Sequence, residues 1–377
     1  MSHPIKPSLA VFIALAANSQ ICLADPLLGM SGPLAANSNP AVLDVWPFGS
    51  LNIGGVVSGL TSLQDNPFPA NAHATADLDN AQLFVQSTDG WLQLFAAIGA
   101  YSLPALGTGY LNVGRTPGET YGYLPEAFAK ATLLDEFSIE AGKLPSLIGN
   151  ESVFTVENMN VERGLLWNQT PSISRGVQLN YASGPVSLAL SWNDGFYSNR
   201  FNWITGSASF TLDREAGVIT LIGGANLGHT AYSNFATPLA QNNSAISDLA
   251  YSVVLGSWTI SPYIQVSEVS QDNAARLRGT SHTNGAALLI ARKIDDNLSI
   301  AARGEYLASE GIANLLYGPG SRACSFTITP TYQKGVLFAR AEASYVALSH
   351  AQPGSQLGRE ADNNSQVRLM FETGVLF

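Results

Sequence analysis

The chain has 377 residues, of which 46% are hydrophobic and only 12% charged, with 28 acidic against 18 basic side chains and a net charge of −10. Soluble domains carry about 25% charged residues, so this chain is short of the charge that covers a water-facing surface. The acidic balance excludes a basic nucleic-acid-binding face as a theme, and a mean hydropathy of +0.11 excludes a bundle of apolar spanning helices.

Lys6 is the only charged residue before Asp25, and an apolar run from Leu9 to Ala17 follows it. That run is too short to cross a bilayer as a helix. With Cys22-Leu-Ala24 behind it, it has the form of a secretory signal, and cleavage is expected after Ala24. Cys22 is not preceded by the small residues of a lipoprotein site. Removal of residues 1–24 takes away one Lys and no acids, leaving 17 bases against 28 acids, a net of −11. It also leaves Cys324 as the single cysteine, which allows no internal disulfide. Residues 25–48 carry no motif and are read as an N-terminal extension before a barrel domain spanning 49–377.

From there the apolar period is two, not 3.6. Sixteen strands are predicted, at about 50–64, 79–88, 91–102, 124–133, 136–144, 173–183, 186–195, 202–212, 217–229, 246–255, 258–269, 282–293, 297–308, 322–333, 335–347 and 365–377. Fourteen or eighteen would fit the same pattern if one hairpin were misread. Every second connection is short: Thr88-Asp-Gly90, Leu134-Asp135, Gly184-Pro185, Asp213-Arg-Glu-Ala216, Gly256-Ser257, Asp295-Asp296 and Lys334. The connections between them are longer and rich in Asn, Ser, Gly and Pro. Short turns at one end, long loops at the other and an even strand number are the plan of an all-β transmembrane antiparallel barrel in an outer membrane, with the short turns periplasmic and the long loops extracellular.

Alternation supports that plan. Val186, Leu188, Leu190 and Trp192 share one face, with Ser187, Ala189 and Ser191 on the other. Val177, Leu179 and Tyr181 point outward, Gln178 and Asn180 inward. Trp91, Tyr101, Tyr181, Trp192, Trp203, Trp258, Tyr306 and Tyr345 collect near strand ends, where interfacial girdles place aromatics. In the last strand Val367, Leu369, Phe371, Thr373, Val375 and Phe377 form the outer face. Phe371, Val375 and the terminal Phe377 are the expected assembly signal, read by the barrel assembly machinery.

Several longer strings resemble one family. They are Trp91-Leu-Gln-Leu-Phe-Ala-Ala-Ile-Gly-Ala-Tyr-Ser-Leu-Pro-Ala-Leu-Gly107, Gly142-Lys-Leu-Pro-Ser-Leu-Ile-Gly149, Val161-Glu-Arg-Gly-Leu-Leu-Trp-Asn-Gln169, Ser191-Trp-Asn-Asp-Gly-Phe-Tyr-Ser198 and Asn314-Leu-Leu-Tyr-Gly-Pro-Gly-Ser321. Each resembles segments of the putative beta-barrel porins of the Gram-negative outer membrane, the second family of that name. The resemblance covers most of the chain after residue 24. It implies an outer-membrane porin, a passive channel for small hydrophilic solutes and ions in contact with outer-membrane lipid. It supplies no substrate motif and no catalytic residue.

The connection from about 145 to 172 is the longest, and in porin-like barrels the corresponding loop folds inward and narrows the lumen. It carries Glu151, Glu157, Glu162 and Arg163. The wall it is expected to face carries Arg303 with Glu305, Arg340 with Glu342, and Arg368 with Glu372 on inward positions. Arginines opposite an acidic loop would set a transverse field across the aperture; alternatively, each pairs with an acid on its own strand. The acidic excess points to a preference for cations. His73, His229, His282 and His350 lie in or beside long connections without ligand spacing, so no metal and no cofactor are expected. An outer-membrane hydrolase and a non-conducting adhesin are the rival readings. No Gly-x-Ser-x-Gly elbow occurs, and Ser281-His282 and Ser349-His350 point apart in a strand, so no enzyme is expected. Analogy with sixteen-stranded porins suggests a homotrimer, although no segment reads as its interface.

Overall fold

The computed structural model describes residues 32–45, 49–87, 89–212 and 217–377. The expected signal at 1–24, the start of the extension, Thr88 and the turn Asp213–Ala216 lie outside the described residues. A short β1 (Ala41–Val45) precedes sixteen longer strands. These are β2 (Gly49–Gln64), β3 (Ala74–Ser87), β4 (Leu92–Tyr101), β5 (Glu126–Leu134), β6 (Phe137–Pro145), β7 (Ile173–Ser183), β8 (Val186–Asn193) and β9 (Trp203–Thr211). They continue with β10 (Val218–Asn226), β11 (Ser244–Leu255), β12 (Trp258–Val269), β13 (Ser281–Lys293), β14 (Leu298–Gly311), β15 (Arg322–Lys334), β16 (Leu337–Ser349) and β17 (Ser365–Leu376). Two single-turn helices, α1 (Thr116–Glu119) and α2 (Leu239–Asn242), lie in long connections.

Each strand from β2 to β17 pairs antiparallel with its chain neighbours, and β17 pairs with β2 from Arg368↔Gln64 to Leu376↔Val56. The ring is therefore a closed barrel of sixteen strands. Closure leaves no unpaired edge, the condition for placing a sheet in lipid. The seam ends on Phe377, whose N–H donates to Gly55 O at 2.9 Å and whose carbonyl accepts the Gly55 N–H at 2.7 Å. Its ring covers Gly55 on the outer face, in the space a Cβ there would take.

Alternation sorts the two faces as the sequence requires. Val367, Leu369 and Phe371 are exposed on the outside, while Gln366, Arg368, Met370 and Glu372 are buried on the inside. Leu188, Leu190 and Trp192 are outward, and Ser187, Ala189 and Ser191 inward. The short connections hold turn residues. Gly256 takes φ +60° in the two-residue link to β12, a conformation that favours glycine. In the β13–β14 turn the Asp295 carboxylate accepts the N–H groups of Asn297 and Leu298, which hold it below the usual carboxylate range.

Two of the boundaries that differ from expectation, and one additional strand, have a physical reason in the pairing. β3 begins at Ala74 rather than near 79, because Ala74–Leu78 extend its pairing with β2 beyond an irregularity at Ser58/Gly59. Ala74, Ala76 and Leu78 alternate with Thr75 and Asp77, but two of the three apolar residues are alanines, which mark a strand weakly. The link after β15 is Gly335-Val336, and Lys334 belongs to the strand. β1 was not anticipated. It pairs with β2 from Ala41↔Ile53 to Val45↔Gly49, directly beyond the point where β17 ends, and so continues that strand along the same edge. Five residues carry too little pattern to announce a strand; the free edge of β2 supplies it.

Leu369 lies near the middle of β17 on the lipid-facing side. Leu369→Arg is expected to destabilise the barrel by about 2–4 kcal/mol, the cost of an arginine at the bilayer midplane, in denaturant titrations in lipid vesicles. An unchanged midpoint would remove Leu369 from the lipid face.

Candidate functional site

The connection between β6 and β7, residues 146–172, does not stand above the barrel. It enters the lumen. Two single 3-10 turns, Thr155–Glu157 and Trp167–Gln169, keep it compact, and nearly all of it is buried. Its apolar residues Met159, Leu165 and Leu166 share a cluster with inward-facing Ala250, Tyr263, Ala287, Leu289, Ala301 and Leu307. Burial of each leucine is worth about 1.5–3 kcal/mol. The inward wall beneath the loop is thus partly apolar, shaped to receive it.

Ionic contacts then fix its position. On β14, Arg303 pairs with Glu151 of the loop at 2.5 Å and with Glu305 of its own strand at 3.3 Å, and also donates to Glu162 O. Glu305 accepts the N–H groups of Leu165 and Leu166 and the Ser325 hydroxyl. On β16, Glu342 accepts the N–H groups of Val161 and Glu162 at 2.6 and 2.9 Å and the Thr329 hydroxyl. Arg340 donates to the carbonyls of Thr155 and Asn158, both at 2.9 Å, and pairs with Glu372 on β17 at 3.4 Å. Arg368 pairs with Glu162 of the loop and donates to Ala105 O and Thr108 O. All these side chains are buried.

Of the ten charged residues picked from sequence, eight are thus brought to the interface between the loop and strands β14, β16 and β17. Arg163 instead ties the loop to the preceding long connection. Its N–H and guanidinium both donate to Pro104 O, and its side chain stacks over Trp167. Glu157, in the first 3-10 turn, is buried within electrostatic reach of Arg163 and of Glu126 on β5. Own-strand pairing holds only for Arg303, with Glu305. Arg340 and Arg368 do not pair with Glu342 and Glu372 on their own strands. Nor do the charges face one another across a gap: guanidinium and carboxylate meet directly, because a buried charge needs a partner at contact distance. A Cβ on Gly164 would overlap the Glu305 carboxylate, so the close approach requires glycine there.

Two groups are not among the site residues expected from the sequence, although Gln178 and Asn180 are read there as inward. Asp79 and Asn80, inside β3, join the loop through the Thr155 hydroxyl, which also reaches Glu372. Glu140, Gln178, Asn180 and Ser138 on β6 and β7 form a polar surface whose hydrogen bonds run along the wall rather than to the loop. Lys130 on β5 acts on Glu140 there. Inward alternation over 126–140 was the available signal for that second group.

A family model described as putative beta-barrel porin-2, OmpL-like, matches residues 50–377. Among solved structures the chain is similar to OmpT of Vibrio cholerae, with a TM-score of 0.57 at 10% identity over 89% of this chain and 100% of that one. It is similar to the outer membrane channel DcaP of Acinetobacter baumannii, with a TM-score of 0.57 at 12% identity over 87% and 97%. An anion-selective porin from Comamonas acidovorans gives a TM-score of 0.56 at 10% identity over 87% and 99%. At these identities the likeness is one of fold. No curated protein matches the chain.

Arg303→Ala leaves Glu151 and Glu305 buried without their cation. It is expected to cost about 3–5 kcal/mol, read as a lower unfolding midpoint of the detergent-folded barrel. The double variant Arg303→Ala/Glu151→Ala should recover part of the loss. Strictly additive effects would show that the two side chains do not interact.

Proposed function

The chain belongs to the putative beta-barrel porin-2, OmpL-like, family, and on that premise we propose that this outer-membrane barrel is a passive diffusion channel for small hydrophilic solutes and ions, preferring cations. The observation that carries the reading is the seating of the inward loop across the lumen, which leaves the polar surface of β5–β7 without a hydrogen bond to it among the described residues. Its Glu151 and Glu162 are spent on Arg303 of β14 and Arg368 of β17, while the polar surface of Lys130, Glu140, Gln178 and Asn180 lies on β5–β7. A sixteen-stranded barrel encloses an aqueous lumen. A loop fastened across it narrows that lumen and leaves the polar surface of β5–β7 to line the path of a solute. The ten charged residues named from sequence then act as the frame of the constriction.

Charge supports the cation preference. Six of those ten are carboxylates against four guanidiniums, and Asp79, Glu126, Glu140 and Asp248 outweigh Lys130 among the other charged side chains of the lumen. A negative lumen concentrates cations and repels anions. Transport needs no cofactor and no reacting group. Export through a signal cleaved after Ala24, insertion by the barrel assembly machinery and a homotrimeric state complete the proposal; OmpT of Vibrio cholerae is described in a trimer form.

In planar bilayers the purified protein is expected to conduct, with a reversal potential in a salt gradient that favours the cation. Anion selectivity would overturn the charge argument, and absence of conductance the channel itself. Phe377→Ala removes the ring over Gly55 and leaves the main-chain pair in place. Outer-membrane levels should fall while the conductance of inserted barrels stays unchanged; normal levels would reduce Phe377 to an interfacial anchor.

A further inference from the structure

Residues Gly32–Asn39 precede β1, and they lie within the short-turn end of the barrel rather than below it. Gly32 presses on the inward loop so closely that a Cβ would sit 2.4 Å from Asn158 O. Leu34 is 2% exposed. It belongs to an apolar cluster formed by inward side chains of the wall, Val56, Phe84, Phe338 and Leu376, and by Phe154 and Val156 of the loop. Gln333, the last inward residue of β15, holds Ala35 by both main-chain groups. Its carboxamide oxygen accepts the Ala35 N–H and its nitrogen donates to Ala35 O, each at 2.7 Å. A turn at Asn37–Asn39 then leads out to β1 on β2. The segment therefore crosses the mouth from β15 to the seam, beneath β16 and β17, with its inner end under the constriction loop.

We infer that Gly32–Asn39 is a second restriction of the channel, seated from the periplasmic side, and that it sets the size limit together with the inward loop. The inference rests on the channel reading above. An extended chain fills a cross-section of about 5 by 10 Å, a large share of what an inward loop leaves open in a lumen of this size. The attachments differ in strength. β1 holds the outer end through a five-residue strand pairing. The inner end is held by one leucine, one carboxamide and the contact at Gly32, with no ion pair among the described residues. The inward loop, by contrast, is fastened by buried charges. The periplasmic restriction is the one that can leave while the barrel stays folded.

The test compares full-length wild type with Gly32→Val, which collides with Asn158; with Leu34→Ser, which empties the apolar seat; and with deletion of residues 32–39. Each is reconstituted in planar bilayers and in liposomes swollen by uncharged sugars of graded size. Conductance should rise by about twofold if the segment fills half of the free cross-section, and sugars that wild type excludes should enter. Conducting variants that keep the wild-type conductance and sugar limit would overturn the inference and leave the channel reading intact. Silence of wild type and all variants would overturn both. A silent wild type with conducting variants would support the seating and overturn the reading of the wild type as a conducting channel. Independently of conduction, Leu34→Cys in a Cys324→Ser background should react slowly with a small maleimide in the folded barrel and rapidly once Gly32→Val is added. Equal, fast labelling in both would also overturn the seating.

Discussion

Everything in this molecule depends on the closure of one hydrogen-bonded ring. Lipid offers no partner for a main-chain N–H or C=O, so the strand that ends the chain must find the strand that begins the barrel. β17 meets β2 over nine register positions, and the pairing of Phe377 with Gly55 carries it one step further. Closure also fixes the two faces. Once Arg368 lies opposite Gln64, every odd residue of the last strand faces lipid and every even one faces the lumen. A slip by one position would put Arg368 and Glu372 into lipid and Leu369 and Phe371 into the interior, so register is strongly specified.

Inside the ring the governing fact is the cost of a buried charge. The lumen side of β14, β16 and β17 carries three arginines and three glutamates, and residues 146–172 bring three more glutamates. None can be left dry and alone. The solution is a clamp in which wall carboxylates accept loop N–H groups and wall guanidiniums take loop carbonyls and carboxylates. The contacts join a loop to strands more than a hundred residues away, as in Arg303–Glu151 and Arg368–Glu162. A loop held this way is a fixed part of the wall, in contrast to the lightly held chain of Gly32–Asn39 on its periplasmic side.

Legibility in the sequence followed the range of the signal. Strand positions, the alternating lengths of the connections and the lipid-facing set of β17 are written in neighbouring residues, and they could be read with boundaries off by a few positions. The five-residue β1 could not, because its only reason to be extended is the free edge of β2. All ten charged positions proposed for the constriction lie inside the barrel, since inward alternation already placed those on the strands. Their partners were another matter. Arg340 lies two residues from Glu342, yet in a strand both point inward at a distance set by the backbone, while Glu372 lies directly opposite across the β16–β17 pairing. Register, not sequence separation, chose between them.

The sequence by itself determined that the chain is a barrel and which side chains meet lipid, because a period of two over sixteen segments admits only that sorting of faces. It also determined that the chain is acidic overall and that one long connection carries charge. The tertiary structure alone decided where that charge is spent. Coulomb attraction between buried groups acts at contact distance, and only closure of the ring and inward folding of the loop bring those groups into contact. The tertiary structure alone also decided that residues 32–39, featureless as a string, lie inside the mouth. Leu34 and Gly32 acquire meaning only from the wall and the loop they touch.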